Sequence, residues 1–157
     1  MPYTGSMNEE RFKLLTGVYL ILRRGDEVLL LRRANTGYQD GKYSLVAGHL
    51  DGDELATVAM AREAKEEAGI TIDPKELKLV HTDHRLRRGE PGQERIELFF
   101  EASKWEGEIV NNEPHKHDDL SWHPINNLPT ETIAYIRNAL TRVSQGITFS
   151  EYEIEPV

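Results

Sequence analysis

One stretch constrains this chain more than any other: Gly48 to Ile70, GHLDGDELATVAMAREAKEEAGI. It sets Glu63, Glu66 and Glu67 at i, i+3 and i+4. On a helix those three carboxylates share one face, where like charges repel. A hard divalent cation such as Mg²⁺ is the natural counter-charge, because it prefers oxygen ligands. Three glutamates on a helix are more often a plain solvated face, so the stripe needs support from its surroundings.

The flanks read as a loop, a helix and a stop. Asp51 stands three residues before Glu54, as in a capping box, and Gly69 supplies a C-terminal glycine. At 100° per residue Val58, Ala61, Ala64 and Ala68 fall roughly opposite the glutamates and are expected to pack on a sheet. Upstream, FKLLTGVYLILRR (Phe12–Arg24) is too continuously apolar for a one-sided strand and reads as a central one. A turn at Gly25 leads into EVLLLRR (Glu27–Arg33), completing a hairpin. A loop at Ala34–Lys42 and a short strand at Tyr43–Ala47 then deliver the chain to Gly48. Downstream, Leu77–Arg88, Glu94–Ser103 and Leu120–Pro124 read as strands, and Thr130–Ser144 as a helix with Ile133, Ile136 and Leu140 on one face. Residues 8–147 are expected to form a single domain. Residues 1–7 read as a vector-derived remnant or loose N-terminus, and 148–157 as a loose polar tail.

Composition narrows the partners. A net charge of −8 argues against a nucleic-acid polymer, which needs a dense basic surface. A small anion remains compatible if a metal supplies positive charge. The absence of cysteine excludes disulfides, thiolate metal sites and cysteine nucleophiles. With no long apolar run and no secretory signal, the expectation is a cytoplasmic protein without a membrane partner, monomeric or homodimeric.

Gly48, Glu54, Arg62, Glu63, Ala64, Glu66, Glu67, Gly69 and Ile70 fit the Nudix box, G-x5-E-x7-R-E-U-x-E-E-x-G-U, where U is apolar. Seven of these are identities, and chance would give them at a set start with odds on the order of 10⁻⁹. The chain thus resembles the Nudix hydrolases. The resemblance implies an α/β class, an α/β/α sandwich around a mixed β-sheet, and Mg²⁺-dependent hydrolysis of a diphosphate bond in a small nucleotide, with Mn²⁺ as a substitute. It implies Glu63, Glu66 and Glu67 as metal ligands, with the Ala47 carbonyl as another. Gly48, Glu54 and Arg62 would support the site, the last two as an ion pair. Where the family commonly has Pro-Gly-Gly, this chain has Val46-Ala47-Gly48.

A narrower likeness is to the mutator-type members, which cleave a nucleoside triphosphate to monophosphate and pyrophosphate. Their WEGE segment and later glutamate recur as Trp105-Glu106-Gly107-Glu108 and Glu113. Glu113 thereby becomes a further metal ligand or base beside Glu63 and Glu67. Their arginine pair recurs as Arg32-Arg33, which makes Arg33 a substrate contact. Their base-reading asparagine aligns at about Thr132, a departure that weighs against guanine-type selectivity. The ADP-ribose group's proline is missing around His84-Arg85-Leu86, and the cysteine of the isomerase members is absent. Sugar-nucleotide, ADP-ribose or dinucleoside polyphosphate cleavage stay as alternatives, as does a non-catalytic nucleotide sensor. His115 and His117 in EPHKHDD suggest a metal pair, but with no cysteine or spaced third histidine a solvated loop is favoured.

Overall fold

A computed structural model describes residues 11–90 and 93–154. Its strands are β1 (Leu15–Arg24), β2 (Glu27–Arg33), β3 (Tyr43–Ser44), β4 (Val46–His49), β5 (Lys78–Arg87), β6 (Arg95–Ala102), β7 (His117–Pro124) and β8 (Phe149–Ile154). Its helices are α1 (Ala56–Ala68) and α2 (Ala134–Ser144), with a short 3-10 turn at Pro74–Glu76. The N-terminal residues 1–7 lie outside the described residues.

β1 is the centre, as its apolar run requires. Val18, Leu20 and Leu22 face the α1 side, and Tyr19 and Ile21 face the α2 side. β2 divides the same way, with Leu29 and Leu31 on one face and Val28 and Leu30 on the other. Strict alternation with apolar residues at both phases puts core on both faces. The result is a mixed sheet between two helices. β1 pairs parallel with β6 and antiparallel with β4, while β5 lies antiparallel to β6.

The β1–β2 hairpin holds only at its tip, with Arg23 opposite Val28 and Arg24 opposite Glu27. Beyond it the strands part. β2 pairs with β3 and β7, and the chain crosses at Leu45 from β2 to β1, where it becomes β4. What reads in the sequence as one short strand is therefore two, and the crossing sets Ala47 and Gly48 against Tyr19 and Val18.

Two expectations need correction. The helix begins at Ala56 with no side-chain cap, and its buried residues are Ala59, Met60, Ala64 and Ala68. Val58 is 42% exposed. The alanines are not opposite the glutamates, because Glu63 and Glu67 border the buried stripe themselves. The loose tail is also a strand over most of its length. β8 runs parallel to β5 from Thr82–Phe149 to Arg87–Ile154. Its exposed Phe149, Glu151 and Glu153 alternate with half-buried Ser150, Tyr152 and Ile154, a period of two hidden by acidic composition.

Truncation after Gly146 removes this strand and bares the β5 edge. The expected outcome is a stability loss on the order of 2 kcal/mol or more in urea unfolding, with increased self-association. An unchanged midpoint would mean that β8 adds nothing to the fold.

Candidate active site

The site is built where α1 meets β4. Glu67 Oε2 accepts the Ala47 N–H at 3.1 Å. The Glu67 side chain is 12% exposed. Burial, reinforced by the nearby carboxylates of Glu63 and Glu113, pushes its pKa from an ordinary 4.5 up to about 8, although the Ala47 N–H favours the charged form. Glu63 is 13% exposed and also shifted upward, chiefly by burial and against the pull of Arg62. A Cβ at Gly48 would sit 2.0 Å from the Glu63 carboxyl. Only glycine lets the strand pass this close to the acid.

Arg62 is the brace. Its guanidinium forks onto Glu54, Nη2 to Oε1 at 2.9 Å and Nε to Oε2 at 3.2 Å. It also donates to the His49 carbonyl at 3.1 Å and to Glu63 Oε1 at 2.8 Å. These bonds hold the Glu54 carboxyl below the usual range and tie the loop, the helix and β4 together. Glu54 does accept the Asp51 N–H, at 3.2 Å, but one turn ahead of the helix rather than as its cap.

The 106–114 loop brings Glu113 to the same place. Gly69 closes α1 in a left-handed conformation with φ 72°. The Val110 N–H bonds the Ala68 carbonyl at 3.0 Å, and the Asn112 N–H bonds that of Glu67 at 3.2 Å. The loop thus satisfies carbonyls that the helix end leaves without partners. It then turns at Glu113, whose carbonyl accepts the His117 N–H at 3.0 Å. One ligand atom each from Glu67, Glu113 and His117 lies within 4.8 Å of the other two.

Of the residues expected from the sequence, Glu67 and Glu113 converge directly, Glu63 flanks them against Gly48, and Ala47 adjoins through its N–H. Glu66 stands apart. It is 52% exposed, and Arg62 Nη1 is 3.5 Å away. Arg33 ends β2 as the register partner of His117, its guanidinium held by the Tyr38 carbonyl at 2.7 Å and Thr36 Oγ1 at 3.0 Å. His117 overturns the solvated-loop reading. It opens β7 opposite Arg33 and is 4% exposed, whereas His115 is exposed. The signal for it was local: β7 begins earlier than its apolar residues suggest.

A cavity of about 550 Å³ adjoins the acids at Ala47 and Gly48. Arg33, Arg85, Arg87 and Arg95 line it together with Glu90, which pairs with Arg87 at 3.4 Å, and Tyr135 closes it from α2. Arg85 stacks over the Tyr135 ring at 4.4 Å. Thr132 spends its hydroxyl on the Pro129 carbonyl at 2.7 Å. Trp105 and Trp122 pack against each other at the border of the α1-side core.

The donor set suits a divalent cation: neighbouring carboxylates destabilised by burial, a backbone strand pressed onto them, and a buried imidazole beside them. The profile of the NUDIX domain matches residues 13–143. The chain belongs to the Nudix family. Among its relatives is the NAD-capped RNA hydrolase NudC of Stutzerimonas stutzeri, 32% identical over 117 residues, which cover 74% of this chain and 39% of that protein. Another is the mouse 8-oxo-dGDP phosphatase NUDT18, 29% identical over 140 residues, covering 88% and 40%. The chain therefore spans about two fifths of the length of these curated relatives. The crystal structure of a MutT Nudix hydrolase from Burkholderia pseudomallei superposes with a TM-score of 0.74 at 25% identity, covering 83% of this chain and 98% of that one. No helix among the described residues is long and apolar enough to cross a membrane.

Two outcomes are expected. Gly48→Ala displaces the Glu63 carboxylate, so divalent-ion affinity falls at least about tenfold while the circular dichroism spectrum stays native. Wild-type affinity in that variant would refute the close-packing account. The second concerns pH. Glu67 has a folded pKa near 8 against an ordinary 4.5, so the folded state holds its proton more tightly than the unfolded state. Its contribution is intact below pH 4.5 and is lost as pH rises towards 8. Chelator-treated protein should lose several degrees of Tm across that window. Glu67→Gln should flatten the slope, and an equal slope in the variant counts against the assignment.

Proposed function

We propose that this protein is a divalent-metal-dependent hydrolase of the diphosphate bond in a small nucleotide, with a nucleoside triphosphate, cut to monophosphate and pyrophosphate, as its leading substrate. The observation that supports this reading is the junction at Ala47 and Gly48. On one side lie Glu63, Glu67 and Glu113, and on the other a cavity of nucleotide size with an arginine wall.

Glu63, Glu67 and Glu113 would hold the cation, joined by the Ala47 carbonyl, with Glu66 supporting from the solvent side. Mg²⁺, or Mn²⁺ in its place, supplies neutralisation of phosphate charge and a lowered pKa for a bound water. In the reaction a water oxygen forms a bond to phosphorus and the bridging P–O bond breaks. The water's proton passes to a carboxylate of the Glu63, Glu67 and Glu113 group. Arg62 and Glu54 hold Glu63 and the loop in place. Arg33, positioned by neutral acceptors rather than by a carboxylate partner, is free to meet an anionic substrate in the cavity.

The relatives widen the set of substrates worth testing. Their names specify an NAD-capped RNA and an oxidised guanine nucleotide. A capped RNA end could enter a cavity of this kind without the dense basic surface that binding a whole polymer demands.

A panel of nucleoside triphosphates, 8-oxo-dGDP, ADP-ribose, sugar nucleotides and an NAD-capped oligonucleotide, with products identified by mass, tests the proposal. Monophosphate plus pyrophosphate from a triphosphate is the expected result, and two monophosphate-type products would move the assignment to ADP-ribose or sugar-nucleotide cleavage. Glu67→Gln should lower kcat by roughly 10²–10⁴-fold. Arg33→Ala should act mainly on KM, raising it about tenfold. If no substrate is cleaved and Glu67→Gln binds nucleotide as the wild type does, the protein is a sensor and not a hydrolase.

A further inference from the structure

Two histidines are buried among the described residues, and they differ in one respect. His81 uses both ring nitrogens, one on the Ile147 carbonyl at 2.7 Å and one on Asp83 at 2.8 Å. His117 uses neither. Its Nδ1 is buried and has no hydrogen-bond partner, and its Nε2 is 4.0 Å from Glu67 Oε1, too far for a hydrogen bond. A buried polar group without a partner requires an explanation.

Disorder is not the explanation, because the backbone under the ring is fixed on both sides. The His117 N–H bonds the Glu113 carbonyl at 3.0 Å, and its own carbonyl accepts from Asn111 Nδ2 at 2.6 Å. The same residue pairs with Arg33 of β2. Two neighbouring acids come from different elements, Glu67 from α1 and Glu113 from the loop before β7. All three ligand atoms converge within 4.8 Å. A third carboxylate in place of the imidazole would make an all-oxygen site; this one offers a ring nitrogen instead.

We propose that His117 is a nitrogen ligand of the divalent ion held by Glu67 and Glu113, and that it biases this site towards first-row transition ions over Mg²⁺. The inference rests on the metal-site reading above and adds a ligand and a selectivity to it. Mg²⁺ takes oxygen ligands and gains little from an imidazole. Imidazole suits the later divalent ions, whose affinity for a nitrogen-containing site rises along the series from Mn²⁺ through Co²⁺.

Pulsed electron paramagnetic resonance on the full chain, stripped with chelator and loaded with Mn²⁺, reads the ligand directly. The expected result is a ¹⁴N coupling to the bound ion. Protein made with ¹⁵N-histidine should replace it with a ¹⁵N coupling, a change that leaves the fold untouched. The coupling should vanish in His117→Gln and persist in His115→Gln and His49→Gln. If His117→Gln does not fold, His117→Asn, read for loss of the same coupling, keeps the assignment testable. Bound Mn²⁺ with no nitrogen coupling overturns this proposal and leaves the carboxylate site standing. Failure to bind Mn²⁺ at all overturns both. A coupling that survives His117→Gln, or is lost in either other variant, assigns the ligand elsewhere. Calorimetry tests the selectivity: His117→Gln should weaken Co²⁺ at least about tenfold, since loss of even an outer partner costs roughly 10–100-fold, and should change Mg²⁺ affinity by less than about threefold. Equal losses for the two ions refute the bias.

Discussion

The bond from the Ala47 N–H to Glu67 ties the helix to the sheet through a carboxylate that burial has made reluctant to ionise. Glu63 lies next to it, equally enclosed, beneath a strand that approaches to within a missing Cβ. Two acids withdrawn from water in this way oppose folding unless they are neutralised. Arg62 answers for Glu63, but its other contacts go to Glu54, Asp51, Glu66 and the His49 carbonyl rather than to Glu67. The acid that Arg62 leaves unanswered is therefore Glu67, which burial holds towards its protonated form, beside Glu113 and His117. Stability and cation affinity are then linked there, because any ion that binds the folded arrangement alone stabilises it by mass action.

The topology makes this crowding possible. β1 and β2 separate after their shared turn, and the chain fills the gap by moving from one to the other at Leu45. That crossing, rather than a continuous edge strand, aims Ala47 and Gly48 at the helix. The opposite approach comes from the loop that caps the C-terminal turn of α1. Its amides at Val110 and Asn112 bond the last helical carbonyls, so the loop's path is set by the helix end. Glu113 and His117 follow within a few residues. The site is the meeting point of two ordinary structural obligations, covering a strand gap and satisfying a helix terminus.

This explains what could be seen in the sequence and what could not. The glutamate spacing, Gly48, Arg62 and Glu54 are local, and a linear pattern carries them. The doubled hydrophobic phase of β1 and β2 is equally plain, and it correctly implies a sheet covered on both faces. The helix's inward face is legible only in part: Ala64 and Ala68 are buried as expected, but helical geometry alone says that acids and apolar residues should segregate. Here Glu63 and Glu67 turn inward with Met60 and Ala64, against that tendency, to reach β4. β8 was hidden because a strand's period of two was read through its acidic composition. His117 was hidden because β7 starts ahead of its apolar residues, and because the partners it meets there, Arg33 of β2 and Glu67 of α1, are far from it in the chain.

Charge on the cavity wall bears on selectivity under the proposed function. The chain carries −8 overall, yet arginines dominate beside Gly48. They are not equivalent. Arg85 is bound at 2.6 Å to Glu97, which is fully buried and also accepts the Tyr19 hydroxyl at 3.2 Å. Its charge is largely consumed, and its flat face is given to Tyr135, so it serves as a rigid floor. Arg33 is held by a carbonyl and a hydroxyl rather than by a direct ion pair, with the Asp40 carboxylate beyond Thr36. Its charge thus lies on the side of the cavity near the Ala34–Lys42 loop, with the Arg85–Tyr135 stack as the aromatic floor. A ligand that placed its phosphates towards Glu67 and a planar group over the floor would satisfy both surfaces. One lacking a planar group would leave the Arg85–Tyr135 stack uncovered. Under the proposed function, this floor is the feature that would separate a nucleoside from an unsubstituted polyphosphate, a distinction the acid cluster alone would not make.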